Sequence, residues 1–332
     1  MRLFVPEGLP AGAPLVVVLH GCTQTASDYA AGAGWLTLAQ RHGFAVLCPE
    51  QKRVNNPNLC FNWFQPGDTA RALGEAASIH GMVQWALKAH GLDPKQVFVT
   101  GLSAGGAMTA VMLATYPEVF AAGAVIAGLA YGAAASIPEA FSAMKLAPAK
   151  PGPSWGDKVR EAAPDARVWP RISIWHGTTD TTVRPAAGEE LLRQWIDVHG
   201  VADEPQTVTT ADGRSFEVWK TSEGRTVVEM HRIAGMAHGA PLQTGGAEGS
   251  GVEGPFLLEV GVSSSLEVAQ TWGIAPAEPG LLKGGQAAAD PVTKSPAAAP
   301  VSRLPSPMPL PLPSTPITEV IEAALRTAGL MR

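Results

Sequence analysis

The pentapeptide Gly101-Leu102-Ser103-Ala104-Gly105 contains the residue that is best suited to act as a nucleophile. The strand-like run KQVFVT precedes it, and the helix-like run GAMTAVMLATYP follows it. A serine on a tight strand-to-helix turn needs small neighbours, because the backbone is strained there and adjacent segments approach closely. The helix that follows directs its N-terminal N–H groups toward a reacting carbonyl oxygen. The pattern therefore predicts Ser103 as a nucleophile.

A serine hydroxyl reacts well only when an imidazole takes its proton and a carboxylate orients that imidazole. On turns of this kind the acid and then the base follow the serine along the chain. Asp180 comes after the strand-like run ISIWHG, and His238 lies in the small-residue loop GMAHGAP after the last apolar run. We therefore predict Asp180 as the orienting acid and His238 as the general base.

Other histidines and acids compete for these roles. His231 lies inside the strand pattern VVEMHRI, and His20 and His176 stand at strand ends before the predicted nucleophile or acid, so we expect structural roles for them. Four other aspartates downstream lie in loops or on helical patterns and are expected on the surface: Asp157, Asp165, Asp197 and Asp203.

The run LVVVLHGCTQ predicts a strand that ends in a His-Gly turn. In α/β-hydrolases the loop after such a strand supplies one backbone N–H to the oxyanion hole, and the residue after the nucleophile supplies the other. The predicted donors are the backbone amides of Cys22 and Ala104.

Short apolar runs alternate with longer helical patterns, which is typical of a mostly parallel sheet covered by helices. The predicted fold class is α/β. Strands are expected at Leu15–Leu19, Phe44–Cys48, Val97–Thr100, Gly123–Ile126, Ile172–Trp175 and, after an exposed hairpin, Val227–Arg232. Helices are expected at Ala70–His90, Ala104–Thr115 and Pro185–His199.

The remaining segments predict the domain organisation. We expect a catalytic domain over residues 1–275, with a lid or cap insertion over residues 129–170, where the chain is rich in Ala and Pro. Residues 276–316 are Pro/Ala/Ser/Gly-rich and predict a linker. Residues 317–332 predict a short amphipathic helix, because Ile317, Val320, Ile321 and Leu325 recur at helical spacing.

Composition argues against several other classes of protein. The 332 residues carry a formal net charge of -5 and no long Lys/Arg run, so nucleic acid and anionic lipid are poor partners. The three cysteines form no CxxC pair and no Cys/His cluster at zinc-ligand spacing, and we expect neither a metal nor an organic cofactor. No segment stays apolar long enough to span a bilayer. The oligomeric state is left open.

The sequence resembles the polyhydroxybutyrate-depolymerase-like esterases, a group that also includes feruloyl and acetyl-xylan esterases. The resemblance extends from about Leu3 to Gly273 and rests on the runs HGCTQTASDYA, NNPNLCFNWF, GEAASIHGMV, VFVTGLSAGGAMTAVML, WHGTTDTTV and GMAHGAP. It implies an α/β-hydrolase fold and assigns the triad roles to Ser103, Asp180 and His238. It also implies an extracellular or periplasmic enzyme, whereas the N-terminal run MRLFVPEGLPAGAP shows no signal peptide.

The resemblance places the CFNWF loop beside the predicted oxyanion turn. Trp63 and Phe64 then become candidates for binding substrate, with packing as the alternative for Trp63. Cys22 and Cys60 become candidates for a disulfide, which leaves Cys48 as a free thiol; three free thiols in a reducing compartment are the alternative.

The leading functional hypothesis is a serine ester hydrolase that acts through an acyl-enzyme. The expected substrates are poly(3-hydroxybutyrate) and other 3-hydroxyalkanoate polyesters or oligomers, with feruloyl or acetyl-xylan esters as the alternative. An acyltransferase and a non-catalytic binding protein on the same fold are the hypotheses from other classes. No polymer-binding module is recognisable after the linker, so we expect oligomers and short esters to be cleaved faster than crystalline polymer.

Overall fold

A nine-stranded sheet runs through the part of the chain that the computed structural model describes, namely residues 1–146, 152–211 and 213–277. The sheet contains β1 (Arg2–Phe4), β2 (Leu15–Leu19), β3 (Ala45–Cys48), β4 (Val97–Leu102), β5 (Ala122–Ile126), β6 (Arg171–Gly177), β7 (Thr207–Ala211), β8 (Arg214–Lys220) and β9 (Thr226–Ile233). A separate parallel pair is formed by β10 (Ala240–Leu242) and β11 (Leu257–Glu259).

Helices connect the parallel strands and cover both faces of the sheet. They are α1 (Ala26–Gly32), α2 (Trp35–His42), α3 (Pro66–Thr69), α4 (Gly74–His90), α5 (Ala104–Thr115), α6 (Ile137–Leu146), α7 (Gly152–Ala162), α8 (Pro185–His199) and α9 (Ser264–Thr271).

The strand order is β1-β3-β2-β4-β5-β6-β9-β8-β7. The six strands from β3 to β9 in this order are parallel to their neighbours, whereas β1, β8 and β7 are antiparallel additions at the two edges. All six predicted strands are present, and the exposed hairpin before the last of them is β7–β8. The α/β prediction is therefore confirmed.

Strand β2 shows why the sheet is buried on both faces. Leu15, Val17 and Leu19 belong to one core cluster, together with buried residues of α4, α5 and α8. Val16 and Val18 belong to a second cluster, with buried residues of α1, α2 and α9. Successive side chains of a strand point to opposite faces, so a continuous apolar run such as LVVVL is stable only between two layers of helices.

Helix α4 begins four residues later than the predicted start at Ala70. Ala72, which precedes the helix, has a positive φ angle of 65°, and a right-handed helix cannot continue through such a residue. The amide of Ala72 instead donates to the hydroxyl of Tyr116 at 2.9 Å. Trp85 lies on the outer face of α4 and is 49% exposed.

The segment predicted as a lid contains two helices in different surroundings. Ala140 and Ala143 of α6 pack in a third cluster with Trp63 and Ala104, next to the predicted nucleophile. Trp155 of α7 belongs instead to the main core. The predicted linker, apart from its first two residues, and the predicted terminal helix lie outside the described residues.

The connections reverse direction at β2, because β3 lies on one side of it and β4 on the other. In open parallel sheets, ligands bind at the carboxyl ends of the strands where the order reverses in this way. Here Gly21 follows the end of β2 and Ser103 follows the end of β4.

Candidate active site

Ser103 occupies a sharp turn between β4 and α5. Its backbone has φ 57° and ψ −116°, a strained conformation for a residue other than glycine. The Ser103 amide donates to Ile126 O at 2.9 Å, which anchors the turn to the neighbouring strand. The turn is held by the sheet, and the side chain leaves it at the carboxyl edge.

The glycines on either side of Ser103 allow this turn to form. A Cβ on Gly105 would lie 2.2 Å from Leu19 O, and a Cβ on Gly101 would lie 2.4 Å from Gly105 O. Helix α5 therefore begins in direct backbone contact with the end of β2. This contact brings the predicted nucleophile close to the predicted oxyanion turn.

His238 and Asp180 lie on two loops that are joined by hydrogen bonds. The Thr179 amide donates to Met236 O at 3.1 Å, and the Gly235 amide donates to Thr178 Oγ1 at 2.9 Å. Between these loops, His238 Nδ1 lies 2.6 Å from Asp180 Oδ2. The structure thus brings the predicted base and the predicted acid into direct contact.

The carboxylate of Asp180 is buried and held by several donors. Its Oδ1 accepts from the amides of Thr182 and Val183 at 2.8 and 2.9 Å, and its Oδ2 faces His238 and, at 3.5 Å, His176 Nε2. Burial by itself would raise the pKa of Asp180, but the hydrogen bonds and charges of the two histidines outweigh it and lower this pKa below its usual range. Asp180 is therefore held as a carboxylate that accepts from an imidazole N–H.

An imidazole whose Nδ1–H donates to a carboxylate carries its lone pair on Nε2, which can then accept a proton from a hydroxyl. Among the hydrogen bonds of the described residues, none joins Ser103 to His238. Catalytic hydrogen bonds of this kind often form only when substrate is bound.

The predicted oxyanion donors lie on either side of the contact between β2 and α5. Neither the Cys22 amide nor the Ala104 amide donates a hydrogen bond within the described part of the chain. The adjacent turn is held firmly, because the Gly21 amide donates to Gln24 Oε1 at 2.8 Å. Two free N–H groups beside Ser103 are the donors that a carbonyl oxygen would need as it gains negative charge.

Cys22 and Cys60 form a disulfide, with Cα atoms 4.2 Å apart, and Cys48 is a buried free thiol. Trp63 is buried and packs with Ala104 in the third core cluster, and the partly buried Phe64 contacts the same cluster. The two rings meet edge to face, with centroids 5.5 Å apart. The structure therefore places both predicted substrate-binding aromatics next to the nucleophile turn.

Each of the competing histidines makes its ring contacts away from Ser103. His20 Nδ1 donates to Gly21 O at 2.7 Å, and His20 Nε2 accepts from the Gln51 amide at 3.2 Å. His176 Nε2 lies 2.9 Å from Val183 O. His231 is stacked on Trp175 at 3.7 Å, and burial together with the charge of Arg214 lowers the pKa of His231 well below its usual value. None of the three reaches the nucleophile turn as a free base.

Sequence reasoning missed two of the three polar residues that support this site, Gln51 and Glu75, and expected a structural role for the third, His176. His176 contacts Asp180, and Gln51 and Glu75 hold the segment that contains Cys60. His176 follows apolar residues at a strand end, which is the one signal that the sequence offers. Gln51 and Glu75 are separated by 24 residues, and no local pattern marks them as partners.

Within the described residues, no group of His, Cys, Asp and Glu side chains is arranged to bind a metal ion. None of the helices there is both long and apolar enough to cross a membrane.

Comparison with known proteins places the chain in a family. The family model described as esterase PHB depolymerase matches residues 2–218. The chain belongs to this family. The esterase PHB depolymerase family was the resemblance that the sequence motifs indicated, and the match confirms it.

Individual relatives agree with the family match. Poly(3-hydroxyalkanoate) depolymerase C of Paucimonas lemoignei is 47% identical over 272 residues, which are 81% of this chain and 66% of that protein. An acetylxylan esterase of Coprinopsis cinerea is 34% identical over 254 residues, which are 73% of this chain and 65% of that protein. The chain thus spans about two thirds of the length of these two curated relatives.

A solved structure extends the comparison to the fold. The acetyl xylan esterase from Aspergillus awamori superposes with a TM-score of 0.64 at 27% identity, over 71% of this chain and 87% of that one. The predicted α/β-hydrolase fold, with a mostly parallel central sheet flanked by helices, is thereby confirmed.

Proposed function

We propose that this member of the family is a serine esterase, in which Ser103 is the nucleophile, His238 the general base and Asp180 the residue that orients His238. The observation that carries the proposal is the buried Asp180–His238 pair, 2.6 Å apart, at the same sheet edge as the strained Ser103 turn. Members of this family described as depolymerase, acetylxylan esterase and feruloyl esterase support an ester as the substrate.

The proposed reaction has two halves. Ser103 Oγ attacks the ester carbonyl carbon while His238 Nε2 takes the hydroxyl proton, and the carbonyl oxygen becomes an oxyanion facing the amides of Cys22 and Ala104. The intermediate then expels the alcohol, which receives the proton from His238. In the second half a water molecule attacks the acyl-enzyme with the same base, releases the acid and restores Ser103.

We propose 3-hydroxyalkanoate polyesters or their oligomers as the substrate class, because the depolymerase relative is 47% identical and the acetylxylan and feruloyl esterases are 31–36% identical. Trp63 and Phe64 would form an apolar wall for the acyl group beside Ala104. An extracellular or periplasmic location is proposed from the disulfide beside the site.

A fluorophosphonate probe and an ester panel test the function. The probe should label the wild-type protein and not Ser103→Ala. The panel should contain short p-nitrophenyl esters, hydroxybutyrate oligomers, polymer films, acetylated xylan and methyl ferulate, and hydroxybutyrate oligomers should give the highest kcat/KM. A higher kcat/KM for acetylated xylan or methyl ferulate would overturn the substrate class, whereas absence of both labelling and turnover would overturn the proposed function.

A further inference from the structure

The segment of residues 51–62, which follows β3, is held by two side chains that the proposed reaction does not use. Gln51 is 5% exposed, and its side-chain amide donates both to Cys60 O at 3.0 Å and to Glu75 Oε1. Its backbone amide donates to His20 Nε2. Gln51 therefore joins the end of β2, the segment and helix α4.

Glu75, the second residue of α4, provides the other attachment. Its Oε2 accepts from the Asn62 amide at 2.8 Å, so its two carboxylate oxygens hold both ends of the segment. Burial, together with the nearby charge of Asp68, raises the pKa of Glu75 to about 7, although the hydrogen bonds from Asn62 and Gln51 act in the opposite direction. A carboxylate buried in such surroundings destabilises the folded protein unless its hydrogen bonds compensate for the loss of hydration.

The held segment is linked to the proposed oxyanion turn at two points. Cys60 is joined covalently to Cys22, and the Thr23 amide donates to Asn58 O at 2.8 Å. Trp63 follows directly after Asn62. Any displacement of the segment is therefore transmitted to the Cys22 amide.

We propose that Gln51 and Glu75 are positioning residues for the oxyanion site: they fix residues 51–62, and the Cys22–Cys60 disulfide then fixes the Cys22 amide. The inference rests on the proposed function. Oxyanion donors act only within a narrow range of distance, and small displacements of catalytic groups are expensive in rate. A positioning role therefore predicts that substitution weakens binding of the transition state, which lowers kcat, and leaves binding of the substrate unchanged.

The test compares Glu75→Gln with the wild-type protein. The substituted side chain keeps its shape, but its NH2 group must face one of two donors, the Gln51 side-chain amide or the Asn62 backbone amide. We expect kcat per fluorophosphonate-titrated site to fall about ten-fold while KM stays within about two-fold. The dissociation constant of phenylboronic acid, which forms a tetrahedral adduct with the serine, should rise in proportion to the loss of kcat.

Asp93→Asn is a matched control. Asp93 accepts from one backbone amide, that of Lys95, and from one glutamine side chain, that of Gln96, at 2.8 and 2.9 Å. It precedes the amino end of β4, whereas Ser103 follows the carboxyl end of the same strand. This variant should keep wild-type kcat and wild-type affinity for the boronic acid.

A double-mutant cycle tests the route through the disulfide. In a Cys22→Ser/Cys60→Ser background, Glu75→Gln should cost only about two-fold in kcat, because the covalent connection to the oxyanion turn is already cut and only the Thr23–Asn58 hydrogen bond remains. Gln51→Met provides a second variant of similar volume, which removes the donor that joins Cys60 O to Glu75, and should reproduce the ten-fold loss.

Three outcomes would overturn the positioning role: wild-type kcat in Glu75→Gln, an equal loss in Asp93→Asn, or an undiminished loss in the double-serine background. Failure of both Glu75→Gln and Gln51→Met to fold would overturn it as well, since the residues would then serve the fold as a whole. Wild-type protein that neither turns over esters nor reacts with the fluorophosphonate would instead refute the proposed function.

Discussion

Asp180 uses its two carboxylate oxygens differently. The amides of Thr182 and Val183 hold Oδ1, which leaves Oδ2 for His238. The backbone of its own loop thus fixes the orientation of the carboxylate toward His238. Because the folded protein lowers the pKa of Asp180, the ionised carboxylate stabilises the folded state. This stabilisation is complete above about pH 4 and is lost as the pH falls below that value.

Asp180→Asn should lower kcat by about 10³- to 10⁴-fold. The two backbone donors will keep the asparagine Oδ1 where Asp180 Oδ1 lies, so the NH2 group must face His238 Nδ1. The imidazole is then forced to carry its proton on Nε2, which can no longer accept one from Ser103. The measurement is steady-state hydrolysis of a p-nitrophenyl ester with active-site titration.

Asp180→Ala and Asp165→Asn are the controls. Alanine does not impose a tautomer, so Asp180→Asn should be at least as impaired as Asp180→Ala. Asp165 is exposed, and its variant should behave as wild type. Near-wild-type turnover by Asp180→Asn would show that another acid orients the base.

The places of the three proposed triad residues were predictable, because Ser103, Asp180 and His238 each follow a buried apolar run of the sequence. Those of Gln51 and Glu75 were not, because their partnership depends on how the segment after β3 returns to helix α4. Contacts of this kind are fixed by tertiary packing and leave no periodic signal in the sequence.

At the scale of elements, the contact between α5 and β2 decides where the site lies. The predicted boundaries of α5 agree with the structure, since strand and helix patterns meet at Ser103. The sequence could not predict the late start of α4, because Ala72 adopts a positive φ that only its tertiary contact with Tyr116 explains.

Gly105→Ala should destabilise the fold and reduce activity, whereas Gly81→Ala should do neither. The added Cβ at Gly105 would lie 2.2 Å from Leu19 O and 2.5 Å from His20 O, and overpacking against backbone costs about 1–3 kcal/mol or more. Gly81 in α4 has no atom within 4 Å of the added Cβ, so alanine there should stabilise by about 0.5–1 kcal/mol. Urea unfolding measures the stability of both variants. Equal changes in the free energy of unfolding would show that helix α5 does not depend on its close contact with the end of β2.

Glu229 makes the stability of the sheet depend on pH. It is buried in β9 opposite Ser173 and is faced by Arg171 of β6 and by His231 and Arg214. Burial raises its pKa to about 7 from 4.5, while Arg171, Ser173 and Arg214 act in the opposite direction. The folded state therefore binds a proton that the unfolded state has lost between pH 4.5 and 7, so this residue makes stability fall as the pH rises through that range.

Glu229→Gln should remove that dependence. The difference in unfolding free energy between variant and wild type should shift in favour of the variant by about 3 kcal/mol between pH 4.5 and pH 8. Glu253→Gln, at an exposed glutamate, should show no such shift. Parallel stability profiles for Glu229→Gln and wild type would mean that Glu229 remains ionised throughout.

At the scale of the whole molecule, the Cys22–Cys60 disulfide joins two loops that are 38 residues apart in the sequence. It closes the region that contains β3 and lies directly beside the proposed oxyanion site. The sequence offered three cysteines and no rule for pairing them, so only the family resemblance pointed to this pair. Burial raises the pKa of Cys48 to about 12, which keeps that thiol protonated and unreactive near neutral pH.

We therefore expect protein exported to an oxidising compartment to show no reactive thiol when folded and one thiol, Cys48, when denatured without reductant. Reduction should lower stability by about 2–4 kcal/mol, because the unfolded chain regains the freedom of a long loop, and should lower kcat because the Cys22 amide is no longer held. Thiol titration with peptide mapping gives the pairing, and denaturation and ester hydrolysis with and without reductant give the two losses. Cys48→Ala should respond to reductant as wild type does. Three titratable thiols in protein taken from its native compartment, together with activity that is indifferent to reductant, would rule out both the functional disulfide and the proposed extracellular or periplasmic location.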